Sequence, residues 1–167
     1  MFVHKPLPLR IGVGIVLLNN KNNVFVGRRI DNPKKFWQMP QGGIEKGENL
    51  LNAAKRELQE ETSIKSVKLI KEFDDWLKYD LPKNLIGKVW KGKYSGQKQK
   101  WFLMNFIGDD NEINVKTQNP EFFEWKWIEL EKITDVVVDF KLNVYRKVKE
   151  KVKKIINWEI SKYQFFD

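Results

Sequence analysis

Three glutamates close together in the chain are the residues best suited to chemistry: Glu57, Glu60 and Glu61. Apolar residues at three- and four-residue spacing predict a helix over residues 50–61 around them. At 100° per residue the three carboxylates fall within a wedge roughly 100° wide, beside the apolar stripe of the same helix. Carboxylates clustered at the edge of a buried face need a cation, and oxygen ligands favour a hard divalent ion. The pattern therefore predicts a site for Mg²⁺ or, as second choice, Mn²⁺.

The composition narrows the other chemistry open to this chain. It has no cysteine and one histidine, His4, which excludes disulfides, thiolate metal sites and cysteine nucleophiles. One histidine near an end also leaves almost no material for a His-based zinc site or a Ser-His-Asp triad. The 31 Lys and Arg residues exceed the 22 Asp and Glu residues, which gives a net charge of +9. Such a surplus favours polyanionic partners: nucleic acid, nucleotides or an anionic membrane surface.

The length of 167 residues, 41% of them hydrophobic, predicts one globular domain over residues 1–167. The longest apolar run, residues 11–18, is far short of a bilayer crossing, and residues 1–10 lack the apolar stretch of a signal peptide. The absence of cysteine suits a reducing cytosol. We therefore expect a cytoplasmic domain whose chemistry rests on carboxylates, lysines and arginines.

The elements that must position the acids are strands on both sides of the acidic helix, which Asn49 is placed to cap. Apolar runs at 11–18 and 24–26, joined by a polar turn, predict a β-hairpin. Further strands are predicted at 67–73, 76–79, 100–107 and 123–127. Residues 33–47, with two prolines and three glycines, predict a long loop. Mixed strands and helices in this order indicate an α+β or α/β sandwich.

The spacing around the acids is more informative than the acids alone. On their own they could form a solvated face neutralised by Lys55 and Arg56. Residues 42–64 instead resemble the signature of the Nudix hydrolases, G-x5-E-x7-R-E-U-x-E-E-x-G-U with U apolar. Eight of its nine fixed positions match. The departure is Ser63, at a helix end where glycine takes a left-handed conformation easily.

The resemblance implies the Nudix fold, a mixed β-sheet sandwiched between α-helices, and hydrolysis of a nucleoside diphosphate linked to another group. It implies that Glu57, Glu60 and Glu61 hold the metal and, together with Arg56, form the catalytic set. Metal ions there would neutralise the phosphates and acidify a bound water, while one carboxylate takes its proton. Glu57 is our choice for that base.

The same resemblance gives the loop before the helix a structural role. Gly42 and Gly43 belong to this loop. Glu48 is expected to brace Arg56 and the loop, or to bind through water, rather than to act directly.

Segments outside the signature narrow the substrate. They are similar to the bacterial RNA pyrophosphohydrolases, a subgroup related to the dinucleoside polyphosphate hydrolases, over about residues 9–150. The segments that carry the similarity are 36–43, 79–82, 96–102, 119–122 and 140–141. Enzymes of this subgroup remove pyrophosphate from 5′-triphosphorylated RNA and leave a 5′-monophosphate end, which promotes RNA decay.

Basic residues at matching positions are implied to bind the phosphates. Arg10 and Arg29 would contact them directly, since a guanidinium offers a fork of donors that suits phosphate. Lys98, Lys100 and Lys141 would line the phosphate path. The alternative for Lys98 and Lys100 is a solvated strand face, because the two residues alternate along a predicted strand.

Two aromatic residues and one acid complete the implied site. Tyr79 and Phe140 match positions that sandwich a base, which any aromatic pair can do without reading sequence. The alternative is that both belong to the core. Glu121 matches a loop acid that approaches the metal, and it would add a ligand or act as base.

The C-terminal helix, predicted over residues 142–160, is strongly basic. Residues 141–162 contain eight Lys or Arg and two Glu. This surface could track RNA, in which case binding would depend steeply on salt. The alternative is an ordinary solvated amphipathic helix. A membrane-surface role would require a broader aromatic and leucine-rich face.

Three functions remain open from the sequence. The first is hydrolysis of triphosphorylated RNA. The second is hydrolysis of dinucleoside polyphosphates such as diadenosine tetra- or pentaphosphate. The third is an inactive Nudix module that binds nucleotides or RNA, against which the intact acids argue. We expect neither DNA nor a membrane among the partners, and the sequence does not indicate protein partners.

Overall fold

The computed structural model describes residues 5–31 and 36–164. Seven strands and three α-helices lie in this part of the chain. The strands are β1 (Leu9–Leu18), β2 (Val24–Arg29), β3 (Gln41–Gly43), β4 (Val67–Glu72), β5 (Leu77–Asp80), β6 (Gly96–Phe106) and β7 (Phe122–Ile128). The helices are α1 (Leu50–Thr62), α2 (Ile133–Val136) and α3 (Leu142–Gln164).

The strands form one mixed sheet in the order β4-β6-β1-β2-β7, with β3 paired to β1 and β5 paired to β6. The long pairing of β1 with β6 is parallel, and the other pairings are antiparallel. The predicted hairpin of β1 and β2 is confirmed: Leu18 lies opposite Val24, and the side chain of Asn19 accepts backbone N–H bonds across the turn. A central parallel strand is covered on both faces, which explains the continuous apolar run of β1.

A hydrophobic core lies on each face of the sheet. On one face, Val16, Trp101 and Leu103 of the central strands pack with Tyr145 and Val148 of α3. On the other face the core contains strand residues and three residues of α1, namely Ala53, Ala54 and Leu58. The prediction of a mixed sheet between helices is therefore confirmed.

Three predictions about individual elements differ from the structure. Residues 41–43 form strand β3, which pairs with β1 from Gly12 to Gly14, whereas the sequence predicts a loop there. Three residues are too short to show a period, and their partner is distant in sequence. Strand β6 begins at Gly96 rather than at residue 100. The inward-facing residues of its first part are the buried Gln97 and Gln99, which give no apolar pattern in the sequence. Helix α3 also extends beyond the predicted 142–160.

No helix in the described residues combines the length and the apolar character that a membrane crossing requires.

Helix α1 ends at Ser63, which adopts the left-handed conformation with φ 66° and donates its backbone N–H to the carbonyl of Gln59. Its hydroxyl donates to the carbonyl of Asn114 at 2.8 Å. A serine therefore occupies a conformation that favours glycine, with a hydrogen bond as partial compensation.

We predict that Ser63→Gly is more stable than Ser63→Ala by about 1 kcal/mol. Both variants lose the hydroxyl contact, and only alanine keeps the left-handed strain of a Cβ atom. Urea unfolding of the two variants measures the difference. Equal stability would show that this helix end is not strained.

Candidate active site

Helix α1 places its three glutamates in three different environments. The Asn49 side chain accepts the N–H of Asn52 at 2.8 Å and fixes the start of the helix. The Glu60 side chain is 58% exposed, whereas that of Glu57 is 13% exposed. Glu61, on the buried face, is only 2% exposed.

The carboxylate of Glu61 is the least satisfied group of the site. Neither of its oxygens has a hydrogen-bond partner in the described part of the chain. Burial, the charges of Glu121 and Glu57, and the close approach of the Glu121 side chain raise its pKa well above the ordinary value, and the backbone N–H of Gln41 opposes them only in part. An isolated buried carboxylate is strongly unfavourable in its charged form. Glu61 must therefore take up a proton or face a cation.

Glu57 is less deeply buried than Glu61, and its burial raises its pKa to about 7. The charges of Glu60 and Glu121 act in the same direction, whereas the hydrogen bond from Arg56 opposes them. A carboxyl with a pKa near 7 is suited to accept a proton at neutral pH.

Arg56 connects the acids of the helix to the loop before it. Its guanidinium donates to both oxygens of Glu48, at 2.8 and 3.0 Å. The same group donates to the carboxylates of Glu57 at 2.9 Å and Glu60 at 3.1 Å, and to the carbonyl of Gly43 at 2.9 Å. The fork of donors is thus fully used, and Arg56 fixes the position of Glu57.

The two glycines of β3 allow the close approach of charged side chains. A Cβ atom on Gly42 would lie 2.0 Å from the carboxyl carbon of Glu57. A Cβ atom on Gly43 would lie 2.4 Å from Nη2 of Arg10. Side chains at either position would therefore displace a group of the site.

A cleft of about 550 Å³ opens between Glu57 and Glu121 on one side and Phe140 and Lys141, directly before α3, on the other. Among the predicted site residues, Arg10, Arg29, Gly42, Glu57, Tyr79, Glu121, Phe140 and Lys141 line it. An acidic wall thus faces a wall of cations and aromatic rings, an arrangement suited to a phosphate chain with a base attached.

The two arginines of the cleft are held in place by neighbours. The guanidinium of Arg10 lies over the ring of Trp90 at 5.4 Å. Arg29 donates from Nε and Nη2 to both oxygens of Asp31. Burial lowers the pKa of Arg29, but the hydrogen bonds to Asp31 and the charges of Asp31, Glu121 and Glu61 together outweigh it, so that the pKa is raised. The cations are therefore oriented before any ligand arrives.

Tyr79 and Phe140 are brought together, but they contact each other directly. Their ring centroids are 5.7 Å apart with the planes tilted by 45°, so no base fits between them in this arrangement. Tyr79 is 6% exposed, and its hydroxyl donates to Oε1 of Gln97 at 2.8 Å. These contacts match the core alternative for Tyr79. Phe140 is only partly buried and lines the cleft.

Lys141 is a buried lysine within the cleft wall. Its ammonium lies over the rings of Tyr79 and Phe140 and donates to Oε1 of Gln38 at 3.1 Å. Burial and the nearby charge of Arg29 lower its pKa to about 7. Its charge therefore depends on what occupies the cleft.

The structure does not bring Lys98 and Lys100 to the cleft. Alternate residues of a strand point to opposite faces, and in β6 it is Gln97 and Gln99 that point toward the site. Gln99 donates to Oε1 of Gln41 at 3.0 Å. The ammonium groups of Lys98 and Lys100 lie instead over the ring of Trp76. This is the strand face away from the cleft, as the alternative prediction for these two residues has it.

Sequence reasoning missed several residues of the cleft. Trp90, Gln38 and Gln41 line it, and the buried Gln97 and Gln99 support it. The one available signal was the alternation of glutamine and lysine in β6, which places the amides and the ammonium groups on opposite faces.

The four predicted metal ligands do not form a preassembled site. No group of three acidic or histidine side chains within residues 5–31 and 36–164 has the geometry to hold an ion, and Glu57 and Glu60 are turned toward Arg56. The donor set is nevertheless suitable, because it consists of carboxylate oxygens and includes the two unpartnered oxygens of Glu61. These residues fit a hard divalent ion.

Comparison with known proteins decides the family. The NUDIX domain profile matches residues 8–151. The chain belongs to the Nudix family. Nudix hydrolases generally need divalent metal ions, which agrees with the all-oxygen donor set.

Curated Nudix relatives match along most of the chain. An RNA pyrophosphohydrolase of Pelagibacter ubique is 70% identical over 151 residues, covering 90% of this chain and 96% of its own. The RNA pyrophosphohydrolase of Dinoroseobacter shibae is 49% identical over 144 residues, covering 85% and 90%. That of Bartonella bacilliformis is 48% identical over 163 residues, covering 91% and 96%.

Solved structures confirm the Nudix fold. The dihydroneopterin triphosphate pyrophosphohydrolase of E. coli superposes with a TM-score of 0.67 at 21% identity, covering 92% of this chain and 99% of its own. An Ap4A hydrolase of C. elegans superposes with a TM-score of 0.63 at 20% identity, covering 87% and 99%.

The raised pKa of Glu57 predicts how the stability of the metal-free protein depends on pH. Between its ordinary pKa of 4.5 and about 7, the folded chain binds more protons at this group than the unfolded chain. Stability from this group is therefore lost as the pH rises through that window. Glu57→Gln should be more stable than wild type at pH 8 by about 1–3 kcal/mol, and the gap should close toward pH 5.

Urea unfolding in EDTA at the two pH values measures this effect. Glu60→Gln is the matched control, because its largely solvated side chain should change the unfolding free energy much less. A Glu57→Gln protein that is less stable than wild type at pH 8 would show that the carboxylate is adequately neutralised by Arg56.

Proposed function

We propose that this Nudix hydrolase removes pyrophosphate from the 5′ end of triphosphorylated RNA and leaves a 5′-monophosphate, which promotes RNA decay. It hydrolyses pyrophosphate bonds, as the family and the RNA pyrophosphohydrolase relatives support. The observation that carries the proposal is the cleft itself. Glu57 of α1 and Glu121 share one cleft with Arg10, Arg29 and the ring of Phe140.

The acidic wall would hold the metal through Glu57, Glu60, Glu61 and Glu121. We propose Mg²⁺ as the ion, with Mn²⁺ as the second choice, because both prefer carboxylate and water oxygens. When bound, such an ion neutralises charge on the phosphates and lowers the pKa of a coordinated water.

Glu57 would take the proton from the attacking water. Its carboxyl lies at the cleft wall, and in the metal-free protein burial raises its pKa to about 7, which suits a group that accepts a proton. Arg56 acts as a positioning residue, since it binds Glu57 and Glu60 on one side and Glu48 on the other.

The opposite wall would bind the RNA end. The guanidinium groups of Arg10 and Arg29 would contact phosphate oxygens, and stacking on Trp90 and pairing with Asp31 orient them beforehand. Phe140 would stack on one face of a base, with Tyr79 supporting its ring from behind. A phosphate near Lys141 would favour the charged form of its ammonium.

The reaction would take place in the cytoplasm, where triphosphorylated transcripts are found. Hydrolysis of dinucleoside polyphosphates remains the second candidate, since the same cleft offers a phosphate path and an aromatic ring. A module that binds without turnover is the third.

Incubation with Mg²⁺ and two labelled substrates tests these functions. We predict release of pyrophosphate from triphosphorylated RNA and slower cleavage of diadenosine tetraphosphate. Glu57→Gln should lower kcat by about a hundredfold or more without loss of folding, because a general base acts mainly in the transition state. EDTA should abolish turnover.

Three results would contradict the proposal. Preferential cleavage of diadenosine tetraphosphate would select the second candidate, and no turnover of either substrate would select the third. Full activity of Glu57→Gln would show that another group takes the proton.

The ring of Phe140 is proposed to stack on a base of the RNA. Phe140→Ala should lower kcat/KM for the RNA substrate by an amount equivalent to about 1–3 kcal/mol, the usual effect of losing a base–aromatic stack. Phe140→Leu is the matched control for apolar volume, and it should recover only part of the loss. If leucine restores full activity, the ring serves the core and not the base.

A further inference from the structure

A second concave surface lies outside the cleft, between α3 and the segment that leads into β5. This groove, with a volume of about 600 Å³, is lined on one side by Arg146, Lys147, Lys151 and Lys154 of α3. Trp76 lies in the opposite wall and is half-buried. We call it the α3 groove.

The α3 groove carries an excess of positive charge. Its lining contains four cations and two acids, Asp75 and Glu150, and Asp75 forms an ion pair with Lys151 at 3.1 Å. Lys147 and Lys154 are exposed, and neither forms a salt bridge within the described residues. They are two helical turns apart and lie on the same face of α3, so the excess charge forms a stripe along the groove.

Trp76 provides an aromatic surface beside this stripe. The ammonium groups of Lys98 and Lys100 lie 5.3 and 5.7 Å from the centre of its ring, and Lys100 is fixed by donating to the carbonyl of Asp74 at 2.8 Å. A positively charged groove with an aromatic ring is the combination that binds single-stranded nucleic acid, through phosphate contacts and stacking.

The α3 groove and the cleft are lined by neighbouring parts of the same two elements. In β5, Leu77 lines the groove and Tyr79 lines the cleft. Lys141 lines the cleft and directly precedes α3, along which the groove runs. At 1.5 Å per residue, the distance from Lys141 to Lys154 is about 20 Å. An RNA strand that leaves the cleft in the direction of α3 would therefore reach the groove.

We propose that the α3 groove binds the RNA chain downstream of the triphosphorylated end. The proposal rests on the proposed function of the cleft, and it extends it from the reacting end to the body of the substrate. Recognition would be by backbone phosphates and one stacked base, without reading of sequence. It also gives Lys98 and Lys100 a role at Trp76, outside the cleft.

The test compares a triphosphorylated RNA of about 20 nucleotides with a triphosphorylated dinucleotide. The dinucleotide is long enough to occupy the cleft but too short to contact the α3 groove. In Lys147→Ala/Lys154→Ala, kcat/KM should fall about fivefold or more further on the long RNA than on the dinucleotide. The slope of log Kd against log salt for the long RNA should become shallower by about 1.4, because two phosphate contacts are lost. Trp76→Ala should also lower kcat/KM on the long RNA by about fivefold or more relative to the dinucleotide.

Lys21→Ala/Lys116→Ala is the matched control, since it removes the same charge from two exposed lysines outside the groove. The proposal is overturned if this control lowers the length preference as much as the groove variant. It is also overturned if the groove variant affects both substrates equally, or if it loses binding to anionic lipid vesicles while RNA binding is unchanged.

Binding of a 5′-hydroxyl RNA of the same length separates this proposal from the function of the cleft. That RNA cannot be hydrolysed at its end, so its Kd reports the groove independently of turnover. A groove variant that weakens this binding supports the α3 groove even if wild type fails to release pyrophosphate. Normal turnover by wild type with unchanged binding in the groove variant overturns the groove and leaves the proposed function standing.

Discussion

Buried negative charge is the constraint on which this site depends. Helix α1 must press Ala53, Ala54 and Leu58 against the sheet, and the same packing carries Glu61 into the interior. There the carboxylate has no partner among the described residues, and the charges of Glu57 and Glu121 add to the effect of burial. Either a proton or a divalent cation can neutralise this charge. The protonation of Glu61 therefore depends on whether a cation is bound in the site.

The rest of the site follows from that constraint. Arg56 joins the acids of the helix to Glu48 and to the carbonyl of Gly43, so one guanidinium aligns the helix with β3. Glycine at positions 42 and 43 leaves the space that Glu57 and Arg10 occupy. The opposite wall supplies cations, and a phosphate chain lying between the walls would be balanced by charge on both sides.

The family, the acid-bearing helix and the sandwich could be predicted because each has a local pattern: a motif of fixed spacing, a helical period and apolar runs. The sequence also marks Ser63 as an unusual helix end. Contacts between distant segments leave no such signal. The pairing of β3 with β1, the direct contact of Tyr79 with Phe140 and the burial of Lys141 depend on packing. Which face of β6 points to the cleft also depends on packing: the polar Gln97 and Gln99 are buried, and Lys98 and Lys100 lie on the face of the solvated alternative.

The central claim is that Glu61 is buried in order to face a cation. Calorimetric titration of wild type, Glu61→Gln and the exposed control Glu72→Gln with Mg²⁺ at neutral pH tests it most directly. The account predicts binding by wild type and by Glu72→Gln, and an affinity about tenfold or more lower in Glu61→Gln. Equal binding by wild type and Glu61→Gln would contradict it.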